Sequence, residues 1–400
     1  MSSALLSSPE RGESSPADIS PRAEANAAQF ETFIVTGPRA FEQIVPEWEA
    51  LDQFATCPMQ SYAWMRAAAE SFPSGTPFLV AVRREKEITA YAALVKPTGK
   101  RRLECLGHEL FEPTMCAYAD EQSCFGLASA LLQLKEPVFL RDIYGDSAFN
   151  EKMRSSSRRQ VCVPRPMPAH PFVKLNESWL EPEEHLNAGR RSDLRRARRN
   201  AERLGALSFP VAEPTTENVD EVMDEVYEVE SRNWKGRTGG AIAMNPALQR
   251  FYRNYARMAA ARGIARVLRM RIGAETVAVQ FGVEFNRRFW LLKMGYDESF
   301  SRCSPGMLLM LESLRDAAHR GLEYFEMMGQ REPWNRVWTD EGHPAVSFRL
   351  YAPGLNGLCG AAADVVGTIW RKAKEAHQAR ASEKAIIARA RKGTRSEQPA

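Results

Sequence analysis

The sequence predicts an α+β fold of two similar lobes, each a mixed, largely antiparallel sheet flanked by helices. Both halves run in the same order: a strand, two helices, two or three strands, a helix and a strand. In each half, consecutive strands joined by short polar turns indicate an antiparallel meander, and a helix connects it to the closing strand. Between the halves, "VPRPMPAHP" (163–171) has four prolines in nine residues, which indicates an interior boundary.

The first lobe is predicted over residues 30–162, after a leader (1–29) whose Ser, Pro, Ala and Glu content predicts disorder. Alternating or continuous apolar runs predict strands, and apolar residues at helical spacing predict helices. In chain order the predicted strand, two helices, three strands, helix and strand are "ETFIVTG", "FEQIVPEWEALDQF", "SYAWMRAAAESF", "PFLVAVRRE", "EITAYAALVKP", "RRLECLG", "SCFGLASALLQL" and "PVFLRDI". A proline-rich linker (163–184) is predicted to follow.

The second lobe is predicted over residues 185–355, and a basic helix or tail over 356–400. Three of its strands form a meander with "IGAE" and "NRR" as turns. In chain order the predicted helix, strand, two helices, three strands, helix and two strands are "RRSDLRRARRNAERLG", "ALSFPVAE", "ENVDEVMDEVYEVESRNW", "PALQRFYRNYARMAAAR", "IARVLRMRIG", "ETVAVQFGVEFN", "RRFWLLKMGY", "SPGMLLMLESLRDAAHRG", "LEYFEMMG" and "AVSFRLYAP".

Composition excludes several classes of protein. The formal net charge is only +4, which argues against chain-wide polyanion binding. DNA is not expected as a partner, because the arginine-rich run 190–200 has no residue suited to contacting bases besides Asn200. Seven cysteines without C-x-x-C spacing and six histidines without an H-E-x-x-H motif predict free thiols in a reducing, cytoplasmic environment, without a metal site. The sequence shows no signal-peptide pattern and no apolar run of about 18 residues, so no transmembrane segment is expected.

The run "RRSDLRRARRN" (190–200) places six arginines in eleven positions. Leu194, Ala197, Ala201 and Leu204 fall on one stripe of a helix that stops at Gly205, and the arginines occupy the other faces. Three interpretations stay open: a solvated structural face, a contact to phosphates of a small molecule or lipid, and nucleic-acid binding, with tRNA as the nucleic acid in question.

Six segments carry a resemblance to a known family, and they are densest from 185 to 338. They are "PMQSYAWMRAA" (58–68), "RRSDLRRARRNAERLG" (190–205), "VESRNWKG" (229–236), "TVAVQFG" (276–282), "MGYDESFSRCSPGMLLMLESL" (294–314) and "FEMMGQREPWNRVW" (325–338). Their order and spacing resemble the GNAT acyltransferase superfamily, in its double-lobed branch of CelD-type cellulose-biosynthesis proteins and Fem-type peptidyltransferases. Asn335 stands where this branch leads us to expect a lysine.

A donor site is predicted where a strand leads into "SRCSPGMLL". The first N–H groups of a helix lack intrahelical partners and suit phosphate, and Gly306 lets the backbone approach an anion. The alternative is plain helix capping by Ser304 and Pro305. The resemblance implies acetyl-CoA or another acyl-CoA as co-substrate, with its pyrophosphate at this loop and its pantetheine along the preceding strand. The implied donor residues are Leu292, Lys293, Met294, Arg302, Ser304, Gly306 and Met307.

Glu230, Tyr296 and Asp297 are the candidate catalytic residues. Glu230 suits a general base if burial raises its pKa; the alternative is an exposed carboxylate beside a packed Trp234, four residues on. The resemblance implies that Tyr296 protonates the leaving thiolate. Asp297 is either an acid or an ordinary turn residue. Cys303 is a lesser candidate for a nucleophile. We therefore expect the acyl group to pass directly from donor to acceptor, without a covalent intermediate on the enzyme.

The candidate acceptor-binding residues are Trp234, Gln280, Gln330, Trp334 and Trp338. Gln280 sits mid-strand among apolar neighbours, so its amide either pairs inside the core or faces a substrate groove. The two tryptophans after "MMG" indicate either stacking on a sugar or peptide, or a loop packed on the core.

Together these observations predict a cytoplasmic acyltransferase that moves an acyl group, most simply acetyl, from acyl-CoA to an amine or hydroxyl. The expected acceptor is a small molecule or glycan precursor, in cellulose or exopolysaccharide biosynthesis, or a lipid intermediate. The alternatives are a Fem-like transferase that uses aminoacyl-tRNA and a catalytically degenerate assembly protein.

Overall fold

The computed structural model of the protein describes residues 30–72, 75–110, 112–156, 161–232, 245–355, 357–367, 369–370 and 373–374. The predicted leader, Trp234 and most of the predicted C-terminal tail lie outside these residues. Of that tail, residues 357–367 are helical. None of the described helices combines the length and the apolar character that a membrane crossing requires.

The described residues contain fourteen strands joined in one mostly antiparallel sheet. The strands are β1 (Phe30–Thr36), β2 (Gly75–Arg84), β3 (Glu87–Pro97), β4 (Leu103–Cys105), β5 (Ala117–Tyr118), β6 (Val138–Tyr144), β7 (Val161–Lys174), β8 (Leu207–Ser208), β9 (Val211–Ala212), β10 (Ala265–Ile272), β11 (Glu275–Phe285), β12 (Arg288–Tyr296), β13 (Tyr324–Glu326) and β14 (Gly342–Tyr351). Their order is β1-β2-β3-β4-β6-β14-β7-β13-β12-β11-β10-β8, with β5 on β3 and β9 on β10.

Helices cover both faces of this sheet. They are α1 (Val45–Leu51), α2 (Tyr62–Ser71), α3 (Glu121–Leu132), α4 (Ala148–Ser156), α5 (Ala188–Leu204), α6 (Val219–Ser231), α7 (Pro246–Ala261) and α8 (Pro305–His319). In the second half, α6 and α7 pack on one face of β10–β12, and α5 and α8 pack on the other. The predicted α+β class is confirmed.

Local sequence explains why these helices start where they do. The side chain of Asn245 accepts hydrogen bonds from the N–H groups of Ala247 (3.1 Å) and Leu248 (3.2 Å), and Pro246 occupies the first position of α7. Asn187 caps α5 in the same way, through the N–H of Arg190 at 2.9 Å. These caps satisfy N–H groups that a helix leaves without partners.

The proline-rich segment forms a strand, whereas the sequence predicts a linker. Over Val161–Pro171, β7 has one neighbour among the described residues, the antiparallel strand β14. Successive N–H groups of a strand point to opposite edges, so prolines at 164, 166 and 168 remove donors from one edge only. The edge of β7 that carries the prolines has no neighbouring strand over 161–171 in the described part of the chain, so it needs no donors there. The other edge of β7 pairs with β14.

The final strand lies with the first half of the chain. β14 pairs with both β6 and β7, and its residues Val346, Phe348 and Leu350 are buried in the same core as α3. The sequence groups this strand with the second lobe because a meander and a helix precede it. Strand pairing instead places β14 between β6 and β7, among the strands of the first half of the chain.

The two halves also share a core. α2 of the first half contacts α7 of the second, and the ring of Trp64 lies 4.9 Å from the rings of both Phe251 and Tyr255. Aromatic pairs at this distance and in edge-to-face geometry add to the energy of burial. One apolar cluster therefore runs from α1 and α2 to α6 and α7, and it includes residues of β11 and β12.

Candidate functional site

An opening in the sheet lies beside the second half of β12. β12 pairs with β11 along its length, but with β13 only over Arg288–Trp290. β13 ends at Glu326, so within the described residues the edge of 291–296 has no strand beside it on that side. Backbone N–H and C=O groups on such an edge are available to a ligand.

A β-bulge occurs at the start of this opening. Phe281 is opposite Lys293 while Gly282 is opposite Leu291, so Leu292 is the extra residue. A bulge bends its strand and redirects the side chains that follow. Gly282 is required here, because a Cβ at this position would lie 2.5 Å from the Trp290 carbonyl oxygen.

A pocket of about 370 Å³ lies between the end of β12, the start of α8 and the loop after β13. Several predicted site residues line it together: Met294, Tyr296, Ser304, Gly306, Met307 and Trp334. Its other lining residues are Ser301, Pro305, Met310 and Glu332. Predicted donor residues Leu292, Lys293 and Arg302 do not line this pocket.

The start of α8 forms one wall of the pocket. Pro305 takes the first helical position and Ser304 precedes it, as the sequence predicts, but the Ser304 side chain makes no capping hydrogen bond. The backbone carbonyl oxygen of Ser304 accepts hydrogen bonds from the N–H groups of Met307 (3.0 Å) and Leu308 (3.1 Å). Ser304 adopts φ 45°, a left-handed conformation that is costly for a residue with a Cβ. Gly306 faces Tyr296, whose Cδ1 would lie 3.2 Å from an added Cβ.

The residues just before α8 contribute differently. Arg302 is exposed, and its carbonyl oxygen accepts the side-chain amide of Asn200 on α5 at 3.1 Å. Cys303 is buried, and burial raises the pKa of its thiol. A raised pKa disfavours the thiolate, so this cysteine is poorly suited to act as a nucleophile.

Gln280 and Asp297 are occupied by structural contacts. Gln280 is fully buried; its Oε1 accepts the Ser313 hydroxyl at 2.5 Å, so the amide pairs inside the core beneath α8. Asp297 Oδ1 accepts the backbone N–H (2.8 Å) and hydroxyl (2.6 Å) of Ser299, which is ordinary turn chemistry. Arg232 lies 3.6 Å from its other oxygen.

Glu230 lies on the last turn of α6, on the sheet face opposite α8. It is 3% exposed, which differs from the exposed carboxylate of the alternative interpretation. Gly295 of β12 passes so close that a Cβ there would lie 2.6 Å from the Glu230 Cα. The helix thus packs directly on the opened strand.

The loop after β13 supplies the remaining pocket wall. Trp334 donates its ring N–H to Glu332 at 2.8 Å and lines the pocket, while Trp338 is buried in the core. Asn335 is fully buried; its Oδ1 accepts the Glu332 N–H at 2.9 Å, and its amide donates to the Gln330 carbonyl at 3.0 Å. The residue that replaces the expected lysine therefore holds the loop in place.

Sequence reasoning misses a polar cluster on the other side of the opening, formed by Glu112, Asp142, His170 and Lys293. Lys293 is predicted as a donor residue, but its Nζ lies over the ring of Tyr252 on α7, at 4.6 Å. The Gly329 N–H donates a hydrogen bond to the Glu112 carboxylate at 3.4 Å. The Gly329 carbonyl oxygen lies 2.6 Å from His170 Nδ1. No local spacing signals this cluster, because its members come from both halves of the chain.

Comparisons with known proteins agree with this fold. Residues 188–336, within the second lobe, match the family model of the acetyltransferase (GNAT) domain, so this part of the chain has a GNAT-like fold. No curated protein matches the chain in sequence.

Similar solved structures cover both lobes. A C-terminal domain (DUF2156) provisionally described as that of a lysylphosphatidylglycerol synthetase from Agrobacterium fabrum has a TM-score of 0.51 and 13% identity, covering 82% of this chain and 96% of its own. A conserved protein of unknown function from Bacteroides thetaiotaomicron has a TM-score of 0.51 and 10% identity, covering 76% and 97%. FemX has a TM-score of 0.50 and 11% identity, covering 78% and 96%. At these identities the likeness concerns the fold, and the narrower CelD-type resemblance stays a prediction.

Proposed function

We propose that the protein is an acyl-CoA-dependent acyltransferase whose donor binds in the second lobe. The observation that carries this proposal is the continuity of the pocket at the start of α8 with the unpaired edge of β12. A helix N-terminus favours the pyrophosphate of a CoA thioester. The open strand edge provides N–H and C=O groups that match the amides of a pantetheine arm.

The chemistry requires little beyond this placement. An acyl thioester held beside 292–296 meets an acceptor from the opposite side of the opening, and N–H groups of the strand edge polarise its carbonyl. Tyr296, which lines the donor pocket, provides a proton for the departing thiolate. The acceptor is an amine or a hydroxyl; a sugar or glycan precursor of cellulose or exopolysaccharide biosynthesis is favoured by the resemblance and by the partly exposed Trp334.

A Fem-like use of aminoacyl-tRNA is the second candidate, and α5 favours it. Arg195, Arg199 and Arg203 are exposed on this helix, and Arg302 is exposed beside it. Arginines on one surface bind phosphates through charge, and such binding weakens steeply with salt. Binding of tRNA that weakens with salt, together with no acyl-CoA binding, would favour this candidate over the first.

Calorimetry with acetyl-CoA and a longer acyl-CoA tests the proposal. We expect wild type to bind a donor and Gly306→Glu to lower its affinity by roughly 30-fold or more, about 2 kcal/mol. The new carboxylate crowds Tyr296 and repels the pyrophosphate. Gly367→Glu is the matched control, because Gly367 is exposed with nothing within 4 Å of an added Cβ. If wild type binds no acyl-CoA, the donor assignment fails, and an assembly protein or a tRNA-dependent enzyme replaces it.

A further inference from the structure

The last described helix packs in the reverse of the usual way. Residues 357–367, 369–370 and 373–374 are helical, and together they are termed the C-terminal helix. A helix on the surface of a protein normally buries an apolar stripe against the core and exposes its polar side. In the C-terminal helix, the small and polar side contacts the rest of the protein, and the apolar side is exposed.

Glycine and one carboxylate attach this helix to β14 and to the residue before β6. The Asp364 carboxylate accepts the Tyr351 hydroxyl at 2.6 Å and also pairs with Arg349. Gly360 lies so close to Pro137 that an added Cβ would be 2.6 Å from the proline Cγ. A residue without a Cβ therefore allows the helix to approach the sheet closely. These contacts fix which side of the helix is turned toward the protein.

Large apolar side chains project from the other side of the helix. Those that are at least 57% exposed are Leu355, Leu358, Val365, Val366, Ile369 and Trp370. At 3.6 residues per turn they fall within about 140° of one another, so they form one continuous stripe. The other exposed large apolar residues in the described part of the chain lie on separate segments: Ile34, Phe54, Val161 and Leu204. A contiguous exposed apolar stripe of this kind marks a surface for association.

Basic side chains border the apolar stripe. A pocket of about 640 Å³ lies between the C-terminal helix and the segment from the end of β3 to β4. That segment lines the pocket with Lys96, Lys100, Arg101 and Arg102. The helix lines it with Cys359 and Ala363, among others, which lie beside the apolar stripe on the helix surface.

This border carries a net positive charge. Glu136 pairs with Lys96 at 2.7 Å, and Glu104 pairs with Lys100 at 3.0 Å and with Arg102 at 2.5 Å, so two carboxylates face four cations. Arg101 and Lys374 are both exposed. The sequence adds to this excess, because residues 371–400 contain nine Lys or Arg residues against three Glu residues.

An apolar stripe bordered by cations is complementary to an anionic lipid bilayer. Leu, Val and Ile side chains enter the boundary between headgroups and acyl chains, tryptophan favours the same depth, and Lys and Arg bind the negative headgroups. A second copy of the chain fits less well. In a two-fold pair each copy brings the same patch, so the bordering cations of the two copies would face one another.

We propose that the C-terminal helix binds the protein to an anionic membrane surface. The apolar stripe enters the headgroup boundary, and Lys100, Arg101 and Arg102 contact lipid phosphates beside it. The helix lies along the membrane surface, because its two sides differ in polarity. This inference goes beyond the proposed acyl transfer and does not depend on it, since the surface is formed by β3, the turn before β4 and the C-terminal helix.

Cosedimentation of the full chain with lipid vesicles tests the proposal. One set of vesicles contains equal parts of phosphatidylcholine and phosphatidylglycerol, and the other contains phosphatidylcholine alone. We expect wild type to bind the mixed vesicles at least about ten-fold more tightly than the neutral ones, and less tightly at about 0.5 M salt than at about 0.1 M. Ile369→Glu should lower affinity for the mixed vesicles about 30-fold or more, because it removes apolar contact and adds a negative charge.

Leu204→Glu is the matched control. Leu204 is 63% exposed and Ile369 is 61% exposed, and the two substitutions change the charge equally. Because Leu204 lies on α5, this control also tests the arginines of that helix as the binding surface. We expect Leu204→Glu to bind the mixed vesicles within about two-fold of wild type. Losses of equal size in both variants would overturn the assignment to the C-terminal helix.

Arg101→Glu is a second variant, in case Ile369→Glu does not fold. It leaves the apolar stripe intact and should lower affinity for the mixed vesicles about five-fold or more. Wild type that does not bind the mixed vesicles, or that binds both kinds of vesicle equally, would overturn the proposal. Sedimentation velocity of wild type and Ile369→Glu distinguishes the other occupant: a dimer that the substitution dissociates, without vesicle binding, would assign the apolar stripe to a second copy of the chain.

Discussion

His343 illustrates how a single residue fixes the join between β14 and the second lobe. Its Nδ1 lies 3.2 Å from Asp146, and its Nε2 lies 3.2 Å from Glu326, which also binds Arg288 at 2.6 Å. Burial alone would lower the pKa of His343, but the hydrogen bonds to Asp146 and Glu326 raise it to about 9. The imidazolium is thus the form that the folded protein favours.

This shift predicts a loss of stability at alkaline pH. The folded pKa is above the unfolded value of about 6.5, so the contribution is complete below pH 6.5 and disappears as pH rises through about 9. We expect wild type to lose about 2 kcal/mol more than His343→Gln between pH 6.5 and 9.5, after allowance for solvent screening. Urea unfolding of wild type and His343→Gln at pH 6.5 and at pH 9.5 measures this difference in the free energy of unfolding.

His319→Gln provides the comparison, because His319 is exposed at the end of α8. That variant should keep the wild-type dependence on pH. If His343→Gln shows the same dependence as wild type, the carboxylates do not hold a proton on His343.

At the scale of one element, α5 answers the question that its arginines raise. Leu194, Ala197 and Ala201 are buried as the spacing predicts, whereas Leu204 is 63% exposed. Leu204 is the last helical residue, and the chain turns away at Gly205. Arg198 pairs with Glu312 of α8 and lies over the ring of Phe209, at 5.5 Å. One arginine therefore fastens the helix, and others stay exposed.

This difference predicts unequal effects of two arginine substitutions. Arg198→Ala should destabilise the protein by about 1 kcal/mol, because it removes a partly buried ion pair and the packing of its stem on Phe209. Arg195→Ala should change stability by less than about 0.5 kcal/mol, since this exposed side chain lies away from such features. Denaturant unfolding of both variants measures the contrast; equal losses would contradict the assignment of Arg198 as the fastening residue.

Elements with local causes are the ones that the sequence predicts well. The meander of β10, β11 and β12 and the start of α8 follow from apolar spacing and from Pro305, and the strand–loop–helix order brings Met294, Tyr296 and Gly306 to one pocket. β7 escapes prediction because its prolines are acceptable only at an edge, which is a property of the whole sheet. Glu112 and Lys293 are likewise brought together only by the packing of the two halves.

At the scale of the whole molecule, the strand exchange makes the halves depend on each other. β14 comes from the predicted second lobe but pairs with β6 of the first lobe, and β7, which precedes the second lobe in the chain, is the neighbour of both β14 and β13. The shared cluster around Trp64, Phe251 and Tyr255 adds a continuous core. The polar cluster beside the opening draws Glu112 from one half and Lys293 from the other, so it exists only when both are folded.

The predicted boundaries can be tested directly by comparing residues 185–355 with residues 30–355. The shorter chain keeps β14 but lacks β6 and β7, so the row of backbone groups on β14 and the side chains of Phe348 and Leu350 lose their partners. We expect residues 30–355 to unfold in one steep transition in urea and residues 185–355 to show a broad, shallow one, with little near-ultraviolet circular dichroism. Exposed strand edges should also make the shorter chain aggregate. A steep transition for residues 185–355 would mean that the second lobe folds alone and that β14 is an addition rather than a requirement.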